Sequence, residues 1–237
     1  MTDWLVLGTA GMLGVLHALE IDHMLAVTTF VSRRPAPAAA ARFGARWGLG
    51  HSAAVLLAGG LILLLDLRWP ARWDAWAEAT VGVMLVGLGA WAVASARKLH
   101  LHDAAAHGGH AHLHLHRGAT LEHGHAHHGV QGSGPGHAHG GITLVGFLHG
   151  LAGTSAVVAL VPVTLIDRTG TGFGYLVAFG VGLTLSMTVF ALVAALAMRR
   201  AAARSLLWGR RAAIGVGVAG IVAGVVWVVR AAGSFAV

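Results

Sequence analysis

The sequence predicts an all-α fold, a polytopic bundle of six transmembrane helices arranged as two inverted three-helix repeats. Three observations predict it: an apolar composition, six apolar runs of membrane-spanning length, and a repeat within the chain. Hydrophobic residues make up 56% of the 237 residues, charged residues make up 11%, and the mean hydropathy is +0.72. These values exclude an ordinary soluble domain.

The six runs are each close to or above the roughly 20 apolar residues that a helix needs to cross a bilayer. Apart from Glu20, Asp22 and the boundary residue Glu78, they contain no Asp, Glu, Lys or Arg. We therefore expect the lipid bilayer to surround them. They lie at residues 4–30, 47–65, 76–96, 142–166, 173–198 and 212–229.

The net charge of +7 comes from basic residues that lie mostly between the apolar runs, where they anchor helices, so nucleic acid is excluded as a partner. Of the 16 Lys and Arg residues, 12 lie in the connections after the first, third and fifth runs. The positive-inside rule then places both termini outside and the long third connection in the cytoplasm. The predicted location is the inner (cytoplasmic) membrane of a cell.

Two segments of the chain repeat at a fixed offset of 132 residues. Residues 14–19 (GVLHAL) match residues 146–151 (GFLHGL), and residues 47–50 (WGLG) match residues 179–182 (FGVG). Three spans per repeat is an odd number, so the halves are predicted to cross the membrane in opposite directions, with a site between them. The predicted domains are a first repeat at 1–99, a disordered cytoplasmic histidine-rich loop at 100–141, and a second repeat at 142–237.

The first run contains four ionisable residues, His17, Glu20, Asp22 and His23. A carboxylate at membrane depth costs about 2.5 to 3.5 kcal/mol, so such groups face a partner, and a bound cation is the simplest one. On a regular helix Asp22 lies about 140° from His17, and His23 about 120° away on the other side. We therefore expect a broken turn here, ligands from other helices, or both. Glu20 is predicted to be a hydrogen-bonding neighbour of the histidines.

The histidines fall into two groups. Of the 17, 13 lie between His100 and His139, and the other four, His17, His23, His51 and His149, lie within the apolar runs. With Asp22 beside them, these four predict a metal path through the membrane.

Hydrogen bonding between helices is the alternative reading of the in-span histidines, with His51 paired to Ser52 and His149 paired to Thr154 and Ser155. In the metal reading these three hydroxyl residues, like Glu20, support the ligands from outside. Since the chain has no cysteine, thiolate sites and disulfides are excluded, and any metal site must use His, Asp, Glu, Met or backbone groups.

The histidine-rich loop cannot bury a core, so it is predicted to be disordered without a ligand. Tracts of neutral imidazoles bind metal loosely, which favours a cytoplasmic metal reservoir. The alternative is a solvated linker whose metal affinity is incidental.

Two motifs resemble the nickel/cobalt transporter (NiCoT) superfamily. The first is H-x4-D-H, formed by His17, Asp22 and His23, and the second is LGHS at 49–52. The segment GFLHGLAG at 146–153 resembles its smaller urease-accessory, UreH-type branch. The resemblance implies a permease for Ni²⁺ or Co²⁺ in which His17, Asp22 and His23 recognise the ion and His51 supports them.

The resemblance also implies metallochaperones of urease or hydrogenase as partners, and no resident cofactor, since the metal is the transported substrate. Uptake is favoured; efflux is the alternative, because the efflux branch also carries histidine-rich loops. Nickel, cobalt and zinc accept the same nitrogen and oxygen ligands.

Other function classes fit the sequence less well. No phosphate-binding loop is present, which indicates a secondary transporter rather than an ATP-driven pump. A membrane protease would need His-Glu-x-x-His, which does not occur, and a di-iron enzyme would need more histidines and carboxylates than the spans contain. The chain is therefore predicted not to be an enzyme. A membrane-anchored metal buffer, with the loop as its working part, remains as a third hypothesis.

Overall fold

The computed structural model describes residues 3–33, 36–65, 71–97, 137–152, 166 and 168–235. Within these ranges the chain is helical apart from short connections and contains no strand, which confirms the predicted all-α class. Seven helices follow one another: α1 (Asp3–His17), α2 (Ile21–Arg33), α3 (Pro37–Leu65), α4 (Ala71–Arg97), α5 (His137–Ala152), α6 (Thr169–Arg204) and α7 (Leu206–Phe235).

Five of the six predicted spans coincide with described helices. By length and composition α3, α4, α6 and α7 can each cross a membrane, and α1 and α2 pass the same test only together, as a pair bent by 56° that is either one broken span or a re-entrant loop. For the predicted fourth span, α5 contributes the apolar stretch Ile142–Leu151. Residues 153–165 of that run lie outside the described part of the chain, as do residues 98–136 of the third connection. α5 itself begins at His137, within the segment assigned to the histidine-rich loop.

The long helix α6 presents an apolar stripe that no other described helix covers. Its side chains recur every four residues, so they form a ridge that winds gradually around the helix, and each is between 52% and 60% exposed. An exposed apolar face of this length suits hydrocarbon tails better than water. The stripe consists of Val177, Val181, Leu185, Val189 and Val193.

The apolar run at 4–30 is broken between α1 and α2, which is one of the alternatives that the spacing of its ionisable residues predicts. The last backbone bonds of α1 tighten, with Leu19 N donating to Leu16 O at 3.0 Å and Glu20 N donating to His17 O at 3.1 Å. These bonds reach back three residues instead of four, which ends the α-helix. Helix α2 then restarts, with Met24 N donating to the Glu20 carbonyl at 3.0 Å.

Glycines allow two helix crossings in which the backbones approach closely. A Cβ at Gly14 on α1 would overlap the backbone carbonyl of Phe179 on α6, and a Cβ at Gly146 on α5 would overlap that of Trp47 on α3. Small residues permit this approach of helices within lipid. The offset of 132 residues relates Gly14 to Gly146 and Trp47 to Phe179, so the two crossings are equivalent in the repeat.

The helices α4 and α7 cross in the same manner at two levels. A Cβ at Gly82 would lie 2.7 Å from the carbonyl oxygen of Gly224, and a Cβ at Gly217 would lie 2.8 Å from that of Gly89. Each glycine on one helix thus faces a glycine on the other, and the two helix axes come close because neither carries a side chain there.

Candidate metal centre

The four in-span histidines and Asp22 converge in the interior of the bundle. Among the described residues, the buried polar and charged side chains are these five and Thr29. None of the five is more than 5% exposed. We call His17, Asp22, His23, His51 and His149 the buried centre.

Helices α1, α2, α3 and α5 supply the buried centre, so it joins elements of the first half to one element of the second. His17 ends α1, Asp22 and His23 open α2, and His51 and His149 lie on α3 and α5. The 56° bend between α1 and α2 changes the direction in which the side chains of Asp22 and His23 point. Residues that a regular helix would turn away from one another therefore face a common interior.

Three imidazoles meet on one side of the buried centre. His17 Nε2 lies 3.2 Å from His51 Nε2, and His51 Nδ1 lies 3.4 Å from His23 Nε2. For comparison, nitrogens bound to one tetrahedral ion through bonds of about 2.05 Å are separated by about 3.3 Å. One nitrogen of each ring lies within 4.8 Å of the others, so His17, His23 and His51 form a group that could hold a metal ion.

A carboxylate joins two imidazoles on the other side. His23 Nδ1 lies 3.0 Å from Asp22 Oδ1, and His149 Nε2 lies 3.2 Å from Asp22 Oδ2. Asp22, His23 and His149 form a second group of three ligands within 4.8 Å of one another. In the absence of an ion, the two imidazoles also provide the hydrogen-bonding partners that a buried carboxylate requires.

Two aromatic rings cover the ends of the buried centre. The ring of Phe179 lies 5.5 Å from that of His17, and the ring of Trp47 lies 5.7 Å from that of His149. Trp47 Nε1 and His149 Nδ1 are buried and have no hydrogen-bond partner within the described structure. Sequence reasoning did not assign these rings to the site. The signal was present, however, because Trp47 and Phe179 occupy equivalent positions in the repeat.

The predicted supporting residues behave differently from one another. Glu20 Oε1 lies 3.0 Å from His17 Nδ1, as its spacing predicts. Ser52 does not pair with His51: its hydroxyl donates to Gly180 O at 2.9 Å and lies 3.0 Å from Thr184 Oγ1. The reason is that successive residues on a helix point about 100° apart, so Ser52 faces α6 when His51 faces the centre. Thr154 and Ser155 lie outside the described residues.

Comparison with curated proteins gives a relative over most of the chain. Urease accessory protein UreH of Bacillus sp. (strain TB-90) is 31% identical over 194 residues, which cover 79% of this chain and 75% of that protein. No protein-family model matches the chain, and no solved structure matches it.

Proposed function

Since the chain belongs to the UreH family of urease accessory proteins, we propose that it is a secondary membrane transporter for a divalent transition-metal ion, Ni²⁺ or Co²⁺. Nickel is the first choice because of the link with urease in the relative's name, and uptake is favoured over efflux. Membership of a family of accessory proteins agrees with the prediction that the chain is not an enzyme.

The observation that carries the proposal is the buried centre. It gathers four imidazoles and one carboxylate in an apolar bundle, each nearly inaccessible to solvent. Groups of this kind are expensive inside a membrane and mark paths for ions or protons. Nitrogen with carboxylate oxygen is a ligand set that suits divalent transition metals.

We also propose that the six spans form two inverted three-helix repeats. Pairs of contacts related by 132 residues support this arrangement: Gly14–Phe179 with Trp47–Gly146, and the ring contact His17–Phe179 with Trp47–His149. Ser52 and Thr184, themselves 132 residues apart, touch one another, as expected for equivalent residues beside a twofold axis. Both termini would then lie outside and the histidine-rich loop in the cytoplasm.

In the proposed mechanism the hydrated ion enters between the halves and exchanges water for the ligands of the buried centre. The ligands must be deprotonated to bind, so protons compete with the ion. Movement of one half against the other then exposes the ion to the opposite side. The rings of Trp47 and Phe179 take the place of water beside His149 and His17 and so favour a dehydrated ion.

Flux through vesicles tests the proposal. The purified chain is reconstituted, and Ni²⁺ and Co²⁺ entry is followed with a metal-sensitive dye trapped inside. We expect Asp22→Asn to lower the flux by at least about tenfold, because it removes the negative charge and a strong ligand oxygen. Asp3→Asn, the same change at an exposed residue at the start of α1, is the matched control and should transport normally. Normal flux in the Asp22 variant would contradict the proposal.

A further inference from the structure

We propose that the buried centre offers the ion two alternative binding positions that share the ring of His23. The first position has three imidazole ligands, from His17, His23 and His51. The second has one carboxylate and two imidazoles, from Asp22, His23 and His149. This inference rests on the proposed transport of a divalent metal ion and describes how the same site handles it.

The two nitrogens of His23 define the two positions. Its Nε2 faces the three-imidazole group, 3.4 Å from His51 Nδ1, whereas its Nδ1 faces the mixed group, 3.0 Å from Asp22 Oδ1. The lone pairs of the two nitrogens of an imidazole point away from one another, so one ion cannot bind both. An ion bound to Nε2 of His23 therefore does not also bind Nδ1 on the Asp22 side, and each side of the ring defines its own position. In the three-imidazole position His51 likewise binds through one of its two nitrogens, and one nitrogen of each of the three rings lies within 4.8 Å of the others.

Electrostatic repulsion makes the two positions alternatives. Two dications on opposite sides of one imidazole ring would repel one another strongly in a buried environment. A neutral imidazole also offers only one free lone pair, because its other nitrogen carries a proton. Occupation of one position thus excludes the other, and the ion moves between them as the single proton of the His23 ring moves from Nδ1 to Nε2, which frees the Nδ1 lone pair for the ion.

The positions differ in which half of the molecule they use. The three-imidazole position takes its ligands from α1, α2 and α3, all in the first half. The mixed position also needs His149 on α5, in the second half. An ion in the mixed position therefore bonds to side chains of both halves, and an ion in the three-imidazole position bonds to side chains of the first half alone. This difference couples the location of the ion to the contact between the halves.

Exposure gives the positions an order. The three-imidazole group ends at Glu20, whose side chain is 43% exposed and lies 3.0 Å from His17. The mixed group ends at His149, whose side chain is fully buried. The ion therefore reaches the three-imidazole position first from the side on which Glu20 lies, and passes to the mixed position afterwards.

A double-mutant cycle on metal affinity tests the proposal. The full chain is used with the 13 histidines of the loop replaced by glutamine, so that only the buried centre is measured, and Ni²⁺ is titrated in detergent. His51→Gln removes only the three-imidazole position, and His149→Gln removes only the mixed position. Each single variant should lose no more than about threefold in affinity, because the ion moves to the remaining position.

The double variant His51→Gln/His149→Gln should lose more than about 100-fold, because neither position is complete. The single variant His23→Gln should lose as much Ni²⁺ affinity as the double variant, because both positions use that ring. Abolished binding in either His51→Gln or His149→Gln alone would overturn the proposal. A single site that uses both residues would give a double variant whose fold-loss in Ni²⁺ affinity equals the product of the two single losses. That result would also overturn the proposal.

Nickel X-ray absorption gives a second readout, which mere misfolding would not reproduce. We expect three imidazole ligands in His149→Gln and two imidazoles with a carboxylate in His51→Gln. Identical ligand sets in the two variants would contradict two positions.

If the binding cycle has the expected form while the wild type carries no flux in vesicles, the transport proposal fails and the two positions stand. If the wild type carries flux while the losses simply multiply, transport stands and the two positions fail.

Discussion

His23 is the residue on which the buried centre depends most. It contacts an imidazole through one ring nitrogen and a carboxylate through the other. His51 also uses both of its nitrogens, toward His17 and His23. A substitution at His23 therefore disturbs both groups of ligands, whereas a substitution at His17, His51 or His149 disturbs only one.

Glu20 is predicted to tune the affinity for the ion without binding it. A carboxylate that accepts from the remote nitrogen of a ligating imidazole fixes the orientation of the ring and makes it more basic. We expect Glu20→Gln to weaken Ni²⁺ binding by about tenfold. The measurement is a metal titration in the background without loop histidines. Glu78→Gln on α4 is the matched control, and equal affinities for both variants would contradict this role.

The spacing of residues within one helix could be predicted from the sequence, but contacts between helices could not. The positions of His17, Asp22 and His23 required a break or ligands from elsewhere, and the structure has the break. The partner of Ser52 and the rings of Trp47 and Phe179 beside the centre depend on how each helix is rotated about its axis. That rotation is set by packing across the bundle, which the local pattern does not encode.

At the scale of the helices, close glycine crossings hold the bundle together. Gly14 is the clearest case, because a Cβ there would overlap the backbone carbonyl of Phe179, which cannot move aside cheaply. We expect Gly14→Ala to lower the free energy of unfolding by about 1 to 3 kcal/mol. Thermal unfolding in detergent measures the effect.

Gly8 provides the control on the same helix, since no atom of the described residues lies within 4 Å of a Cβ at that position. There the change to alanine should be neutral or stabilising, by up to about 1 kcal/mol, because alanine favours the helix. Gly146→Ala should be as harmful as Gly14→Ala, since its crossing with Trp47 is the equivalent one. Equal stability of the Gly8 and Gly14 variants would refute the packing argument.

The positions of the helices were more predictable from the sequence than the residues at which they begin and end. The runs predicted as spans two, three, five and six each fall within one helix, because hydrocarbon thickness imposes a minimum apolar length. The ends were less well defined: α3 begins at Pro37 and α6 continues to Arg204, beyond the apolar windows. Polar and charged residues outside the hydrocarbon can continue a helix, so hydropathy alone does not mark where it stops.

At the scale of the whole molecule, the orientation in the membrane is open to a direct experiment. The chain has no cysteine, so single cysteines can be introduced without removing native ones. With both termini outside, Asp3→Cys and Ser234→Cys should react with a membrane-impermeant maleimide in intact cells. Ser205→Cys, between α6 and α7, should react only after the membrane is opened. The reverse pattern would contradict the proposed topology.

The histidine-rich loop tests whether transport resides in the bundle or in the loop. Replacing its 13 histidines by glutamine should greatly reduce the number of ions bound per chain. It should leave a substantial part of the vesicle flux, because the buried centre is unchanged. Measuring bound metal and flux on the same preparation separates the two. Complete loss of flux, with a normally folded protein, would instead favour a loop-based metal buffer.

The cargo ion is proposed to bind at the buried centre. Nickel X-ray absorption on the full chain without loop histidines tests it most directly, because it identifies the atoms bound to the ion. We expect a nickel ion with nitrogen and oxygen ligands that include imidazole rings, and loss of that signal in His23→Gln. A spectrum without imidazole ligands, or one that His23→Gln leaves unchanged, would contradict it.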